Sequence, residues 1–258
     1  MYIDFSHAIK LNISKDTKCS YQSFVIVPTT NKSRLNTLAK KLQSQYIEIY
    51  INSEEIDVVN VLKQTGDIEN QYTIPKGSMI IPNRQPEAPL IAAILEFDAE
   101  IDNNVLTKER EETLKDGSSI MYDTTAFNFT MMYGLEAVTV PENLSKNLLL
   151  WEPSSIDLEV EDDAIMWAVN GENDASVSFA ARLMEQDIQL RIVDKEIELS
   201  NKRLSRGSVI VIEMDNPKIY NLTSWIKNTA QDWNISVKSL ITEFGPEELP
   251  DGGGREVR

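Results

Sequence analysis

Apolar and polar positions along the chain switch between two periods, and they do so twice. Phe24 to Val27 form an unbroken apolar run, Pro28-Thr29-Thr30 interrupts it, and Leu35, Leu38, Ala39 and Leu42 then recur at helical spacing. That order predicts strand, loop and amphipathic helix. Ile47, Ile49 and Ile51 follow at every second position, as a strand requires. The same helical set returns as Val177, Ala180, Ala181 and Met184, each 142 positions later, and Ile188, Leu190 and Ile192 repeat the alternation.

Gly77-Ser78 and Gly207-Ser208 each follow a long basic residue and open an apolar strand, Met79 to Ile81 in one case and Val209 to Ile212 in the other. A helix closes each unit, with Ile91, Ile94 and Leu95 answered by Leu222, Trp225 and Ile226. Glycine accepts positive φ without a Cβ clash, so both Gly-Ser pairs are expected to turn the chain sharply into a sheet. The reading is a duplicated strand-helix-strand-hairpin-strand-helix unit of the α/β class. Its alternation of strands and helices predicts mixed, mostly parallel sheets, amidotransferase-like or Rossmann-like.

The expected divisions are a lead-in over 1–20, a first repeat over 21–97, a connecting helix-strand segment over 98–158, a second repeat over 159–243 and a linker-like tail over 244–258. In the connecting segment, Asp123 can cap a helix bearing Ala126, Phe127, Phe129 and Met132. Gly134 stands where a left-handed terminator belongs, and Glu136 to Val140 reads as a strand stopped by Pro141. The two repeats are expected to form two lobes with this segment between them.

Charge narrows the range of partners. The chain of 258 residues carries 41 acidic and 25 basic residues, a formal net charge of −16. Its field repels phosphate backbones and anionic lipid, which argues against nucleic acid and membrane partners. The amino terminus lacks a charged start followed by a long apolar stretch, so no signal peptide is expected, and no run approaches the length of a membrane span. Six Asn-x-Ser/Thr sequons, at Asn12, Asn31, Asn128, Asn143, Asn221 and Asn234, are what a chain rich in Asn and Ser produces by chance.

Catalytic groups are sparse. His7 is the single histidine and Cys19 the single cysteine. No His-His metal site, Ser-His pair or disulfide is therefore expected within the chain. The acidic run Glu159, Glu161, Asp162 and Asp163 lacks the glycine spacing of a cation loop and reads as a solvated linker. Ligands of open α/β sheets settle outside the carboxyl ends of strands, which makes Thr29, Thr30, Asn31, Asn170, Asn173 and Asp174 the candidate ligand contacts. Gly171 stands alone and Glu172 and Asp174 oppose an anion there, so no dinucleotide or other cofactor is expected. Helix capping by Asn173 or Asp174 is the stronger explanation of these polar residues.

Three stretches in order, "YTIPKGSMIIPNRQPEAPLIAAILE", "YDTTAFNFTMMYGLEAV" and "RLSRGSVIVI", resemble the carboxyl-side region of large bacterial zinc-carboxypeptidase-like proteins. Gln85-Pro86, Tyr122, Asp123, Thr125 and Ala126 fit the pattern, whereas Thr124 and Phe127 depart from it. The resemblance implies an amidotransferase-like module without its chemistry. It also implies an accessory or interaction role beside a zinc-carboxypeptidase catalytic domain, in cis or in trans. The zinc site is not carried over, because His7 has Lys10 where a glutamate is required and no second histidine follows. An exported or periplasmic location is implied if the chain is a piece of such a protein, and a cytoplasmic one otherwise. The alternative expectation is an independent binding module for a small neutral ligand such as a peptide or sugar; an autonomous enzyme is disfavoured.

Overall fold

A computed structural model describes residues 23–97, 103–119, 128–153, 158–160, 164–199, 202–240 and 255–257. Two compact units result, Met1–Thr29 with Leu38–Glu152, and Thr30–Thr37 with Pro153–Arg258. In the first, β1 (Ser23–Ile26) is followed by α1 (Lys32–Gln43), which belongs to this unit from Leu38 onward, and by β2 (Tyr50–Asn52). A hairpin of β3 (Ile56–Lys63) and β4 (Ile68–Ile74) follows, then β5 (Met79–Pro82) and α2 (Ala88–Leu95). Beyond α3 (Asn103–Asp116) and the short α4 (Phe129–Met132), β6 (Ala137–Val140) and β7 (Leu148–Leu150) complete the sheet. The strand order is β4-β3-β6-β1-β5-β2-β7.

The second unit repeats this plan. After β8 (Leu158–Glu159) come β9 (Met166–Val169), α5 (Ala175–Met184) and β10 (Leu190–Ile192). A hairpin of β11 (Ile197–Leu199) and β12 (Lys202–Leu204) precedes β13 (Val209–Ile212), α6 (Leu222–Asp232), β14 (Val237–Ser239) and β15 (Arg255–Val257). Its order is β15-β10-β13-β9-β14-β8, so β14-β9-β13-β10-β15 matches β6-β1-β5-β2-β7 strand for strand. Registers match as well: Phe24 lies opposite Ile81 and Thr139, and Trp167 lies opposite Val211 and Ser239.

These sheets correct the expectation of mostly parallel, amidotransferase-like or Rossmann-like sheets. Among the described residues every pairing is antiparallel except the two-residue pair of β8 with β14. The helices do cross over between strands that run the same way, but a third strand lies between them: β5 separates β1 from β2, and β1 separates β5 from β6. This is the split βαβ, ferredoxin-like order. The alternation of strands and helices suggested parallel strands, but unbroken apolar runs require only that both faces be buried. Here helices cover one face and the hairpin covers the other. Trp167, Val169, Val209 and Val211 pack with Phe179, Leu183, Leu222 and Ile226, while Met166, Ala168, Ile210 and Ile212 pack with Leu204, Ile197 and Leu199. In the first unit Val25, Ile80, Val138 and Val140 meet Val58, Val61 and Ile74 of the hairpin.

Helix α5 is set one residue earlier than its spacing suggested. Ser176, Phe179, Ala180 and Leu183 are among its buried positions, whereas Val177 is 72% exposed. The matching turns confirm the shift: Ile47 N–H bonds to Leu42 O and Ile188 N–H to Leu183 O, both at 3.2 Å. The residue before each, Tyr46 or Asp187, is left-handed, with φ of 62° and 57°.

The two units differ where the second helix closes. In the second unit α6 is continuous, whereas in the first α2 stops at Leu95 and the turn equivalent to the end of α6 is supplied by α4, from Phe129. Asn128 joins the two ends. Its Nδ2 donates to Leu95 O at 2.8 Å and Glu96 O at 3.0 Å, and its Oδ1 accepts the Met131 N–H at 3.0 Å. One amide thus satisfies carbonyls at a helix C-terminus and caps the next N-terminus. Leu135 N–H bonds to Thr130 O as Ile235 N–H bonds to Ala230 O, with Gly134 and Asn234 both left-handed. Helix α3 falls in this inserted stretch and has no buried residue. The segment expected to connect the repeats therefore contributes β6 and β7 to the first sheet. Asp123 and the rest of 120–127 lie outside the described residues, as do 1–22 and most of the tail.

Gly77 and Gly207 occupy equivalent turns, with φ of +83° and +85°. Gly77 N–H bonds to Asn52 O and Gly207 N–H to Val193 O; Ser78 Oγ donates to Pro75 O and Ser208 Oγ to Ser205 O, both at 2.7 Å. A second repeated device follows each strand. Gln85 Nε2 donates to Pro82 O and Glu48 O while its Oε1 accepts Glu48 N–H. Asn216 Nδ2 donates to Ile212 O and Gln189 O while its Oδ1 accepts Gln189 N–H. Each buried amide, standing just before a proline, ties the start of a helix crossover to the far strand. Losing either leaves three backbone groups short of a partner.

Gly171 explains why one strand-end loop lies so close to the second turn. A Cβ there would sit 2.3 Å from Gly207 C and 2.4 Å from Ser208 N, and both neighbours are backbone. Gly171→Ala is expected to destabilise the protein by about 2–4 kcal/mol through forced backbone displacement. Equilibrium urea unfolding measures this, and a loss under about 0.5 kcal/mol would contradict the close approach.

Candidate functional site

The six candidate contacts fall at the ends of β1 and β9, and their polar groups are engaged locally. Asn170 Oδ1 accepts Glu172 N–H at 3.0 Å and Ser205 Oγ at 2.6 Å, and Asn173 Oδ1 accepts Ala175 N–H at 3.1 Å. Asn173 thus caps α5 by an Asx turn. Gly171 N–H donates to Ser208 Oγ at 3.0 Å, so it is turned into the protein. Thr30 O accepts Lys32 N–H at 2.9 Å. Thr29 closes the first unit's share of this loop, and Thr30–Thr37 group with the second.

Two of the candidates, Asn31 and Asp174, are brought together in the second unit. Asn31 Nδ2 donates to Asp174 Oδ1 at 2.9 Å, and Asn31 Oδ1 accepts from Ser33 Oγ and Arg34 N–H. Arg34 completes a two-pronged pair through Nε to Oδ2 and Nη2 to Oδ1 of Asp174. This residue escaped sequence reasoning, because an arginine on a helix 140 positions away carries no local sign of its partner. The Arg34 hydrogen bonds hold the Asp174 carboxyl below the usual aspartate range, and the carboxylate raises Arg34 in turn. Both side chains are about half exposed, which limits the pair's contribution to stability.

A second locality lies wholly in the first unit, around the connection from β6 to β7. On one side a depression of about 250 Å³ is lined by Glu48, Tyr50, Arg84, Gln85, Asn143 and Leu148, among others. On the other, one of about 400 Å³ is lined by Glu55, Asp57, Glu142, Asn143, Lys146 and Asn147 among its residues. Tyr50 Oη donates to Glu48 Oε2 at 2.7 Å, which together with burial raises the phenol above its ordinary value. Asn143 stands in the wall of both depressions, and its Oδ1 is buried with no hydrogen-bond partner. Sequence reasoning placed Glu142, Asn143, Lys146, Asn147 and Leu148 in a connecting segment and the others in the first repeat; the signal was the leucine run after Ser145-Lys146-Asn147, which marks a strand at the sheet's edge.

Among the described residues no group of three or more His, Cys, Asp or Glu side chains is arranged to hold a metal ion. His7, Cys19, Glu161, Asp162 and Asp163 lie outside them. No helix of the described residues is long and apolar enough to cross a membrane. No family model, curated protein or solved structure matches the chain.

The Arg34–Asp174 pair has a direct readout. A carboxyl whose pKa is depressed by folding contributes stability above the unfolded value and loses it as pH falls through the folded one. The Asp174 carboxyl carbon, followed by NMR, is expected to titrate below an ordinary aspartate, and Arg34→Met should return it upward. An unchanged midpoint in that variant would refute the pairing.

Proposed function

We propose that this chain is a non-catalytic interaction module, in the accessory role beside a zinc-carboxypeptidase catalytic domain that its sequence resemblance implies. One observation carries the reading: the described residues that bear the resemblance build the fold. Gly77-Ser78 and Gly207-Ser208 form the paired turns, and Gln85 ties β5 to β2 through its side-chain amide. Such residues preserve a scaffold and leave recognition to the surface.

Asn143 favours a second reading, a binding module for a small neutral ligand. An unpartnered, buried acceptor in the wall of two depressions suits a donor from a peptide or sugar, and supports the β6–β7 connection as the region to test for such a ligand. Calorimetric titration with the catalytic domain of a bacterial zinc carboxypeptidase encoded beside this chain separates the two. Association at micromolar concentration or tighter is expected. Absence of heat with that domain, together with a thermal shift from a short neutral peptide or an oligosaccharide that Asn143→Leu abolishes, would replace the first reading by the second.

A further inference from the structure

Among the described residues, strand β7 is an outer strand of the first sheet and pairs only with β2. Ser53 N–H bonds to Asn147 O and Trp151 N–H to Ile49 O, with Ile51 opposite Leu149 between them. Antiparallel ladders alternate, so the odd-numbered residues of β7 face β2, and the N–H and C=O groups of Leu148 and Leu150 point outward. Four backbone groups therefore lie in a row on the side away from β2, spaced symmetrically about Leu149.

The side chains along this row are apolar and accessible. Leu149 is 63% exposed and Leu150 61%. Proteins blunt free sheet edges with charge, proline or bulges, and β7 has none of these within it. The opposite edge, β4, carries Glu69, Asn70 and Gln71 along its length, the protection that β7 lacks.

We propose that β7 is a self-association edge, on which a second copy of this chain lays its own β7 antiparallel about a two-fold axis. With Leu149 facing Leu149 of the copy, Leu148 of each chain lies opposite Leu150 of the other. That register pairs all four outward groups and covers the exposed leucines on both sides. The ends are complementary too: exposed Lys146 precedes the strand and exposed Glu152 follows it, so the two-fold brings the cationic end of one strand beside the anionic end of the other. An isologous contact closes at two copies. The inference rests on the geometry of this edge and is independent of the accessory reading.

Sedimentation velocity on the full chain, over about 1 μM to 1 mM, tests it. The average mass is expected to climb from 29.2 kDa toward twice that value. Added salt should lower the concentration at which it does so, because each copy bears a net charge of −16. Leu150→Pro removes an outward N–H without touching the bonds to β2, and Leu149→Lys sets like charges on the axis. Each variant is to be checked for an unchanged far-ultraviolet dichroism spectrum, and each should shift the association midpoint at least about tenfold upward. A wild-type chain that stays at monomer mass throughout, or folded variants that associate as readily as wild type, would overturn the proposal.

Discussion

Burial of both faces of an antiparallel sheet is the constraint on which the rest of this structure depends. A sheet whose central strands are buried on both faces, as β1, β5, β9 and β13 are, needs a cover on each side, and two helices supply only one. The hairpin inserted between the second and third core strands supplies the other, bringing Val58, Val61 and Ile74 over one sheet and Leu204 over its counterpart. At about 1.5–3 kcal/mol for each fully buried aliphatic side chain, such a cover is a large part of the stability of a unit this size. The Gly-Ser turns follow from the same need, since each returns the chain from its hairpin into the sheet interior within a few residues.

Repetition makes these devices visible. The left-handed glycines, the serine hydroxyls bonded three residues back and the buried amides Gln85 and Asn216 recur at matched positions with the same partners. The first unit then departs from the second by an insertion that breaks a helix, and Asn128 is the residue that makes the break tolerable. Its burial also settles one of the sequons: an amide that donates to Leu95 O and Glu96 O and accepts Met131 N–H is not presented for modification.

Local chemistry was legible in the sequence and strand direction was not. Gly77 and Gly207 announced their turns because few residues adopt positive φ, and Gly134 announced its terminator for the same reason. An unbroken run such as Val209 to Ile212 reports burial on two sides without saying what covers them, and the hairpin, expected from the sequence, carried no sign that it is one of the covers. Helix α5 was read one residue late because Val177, Ala180, Ala181 and Met184 fit the helical period as well as the true core set, whose first member is the polar Ser176. Among the candidate contacts, Asn31 and Asp174 meet only because the chain folds, and neither Arg34 nor Asn143 carries a mark in linear order. Gln85 was noticed for the proline that follows it; its three hydrogen bonds exist only in the fold.

The central claim is the duplicated split βαβ plan, with β5 between β1 and β2 and β13 between β9 and β10. Cross-strand Hα–Hα nuclear Overhauser effects test it directly, since close Hα pairs arise between antiparallel neighbours. They are predicted at alternate pairs of the sets Ser23–Pro82 to Ile26–Met79 and Met166–Ile212 to Val169–Val209, in the same register in both units. Absence of these contacts, with β1 found beside β2 and β9 beside β10 in parallel ladders, would contradict the account.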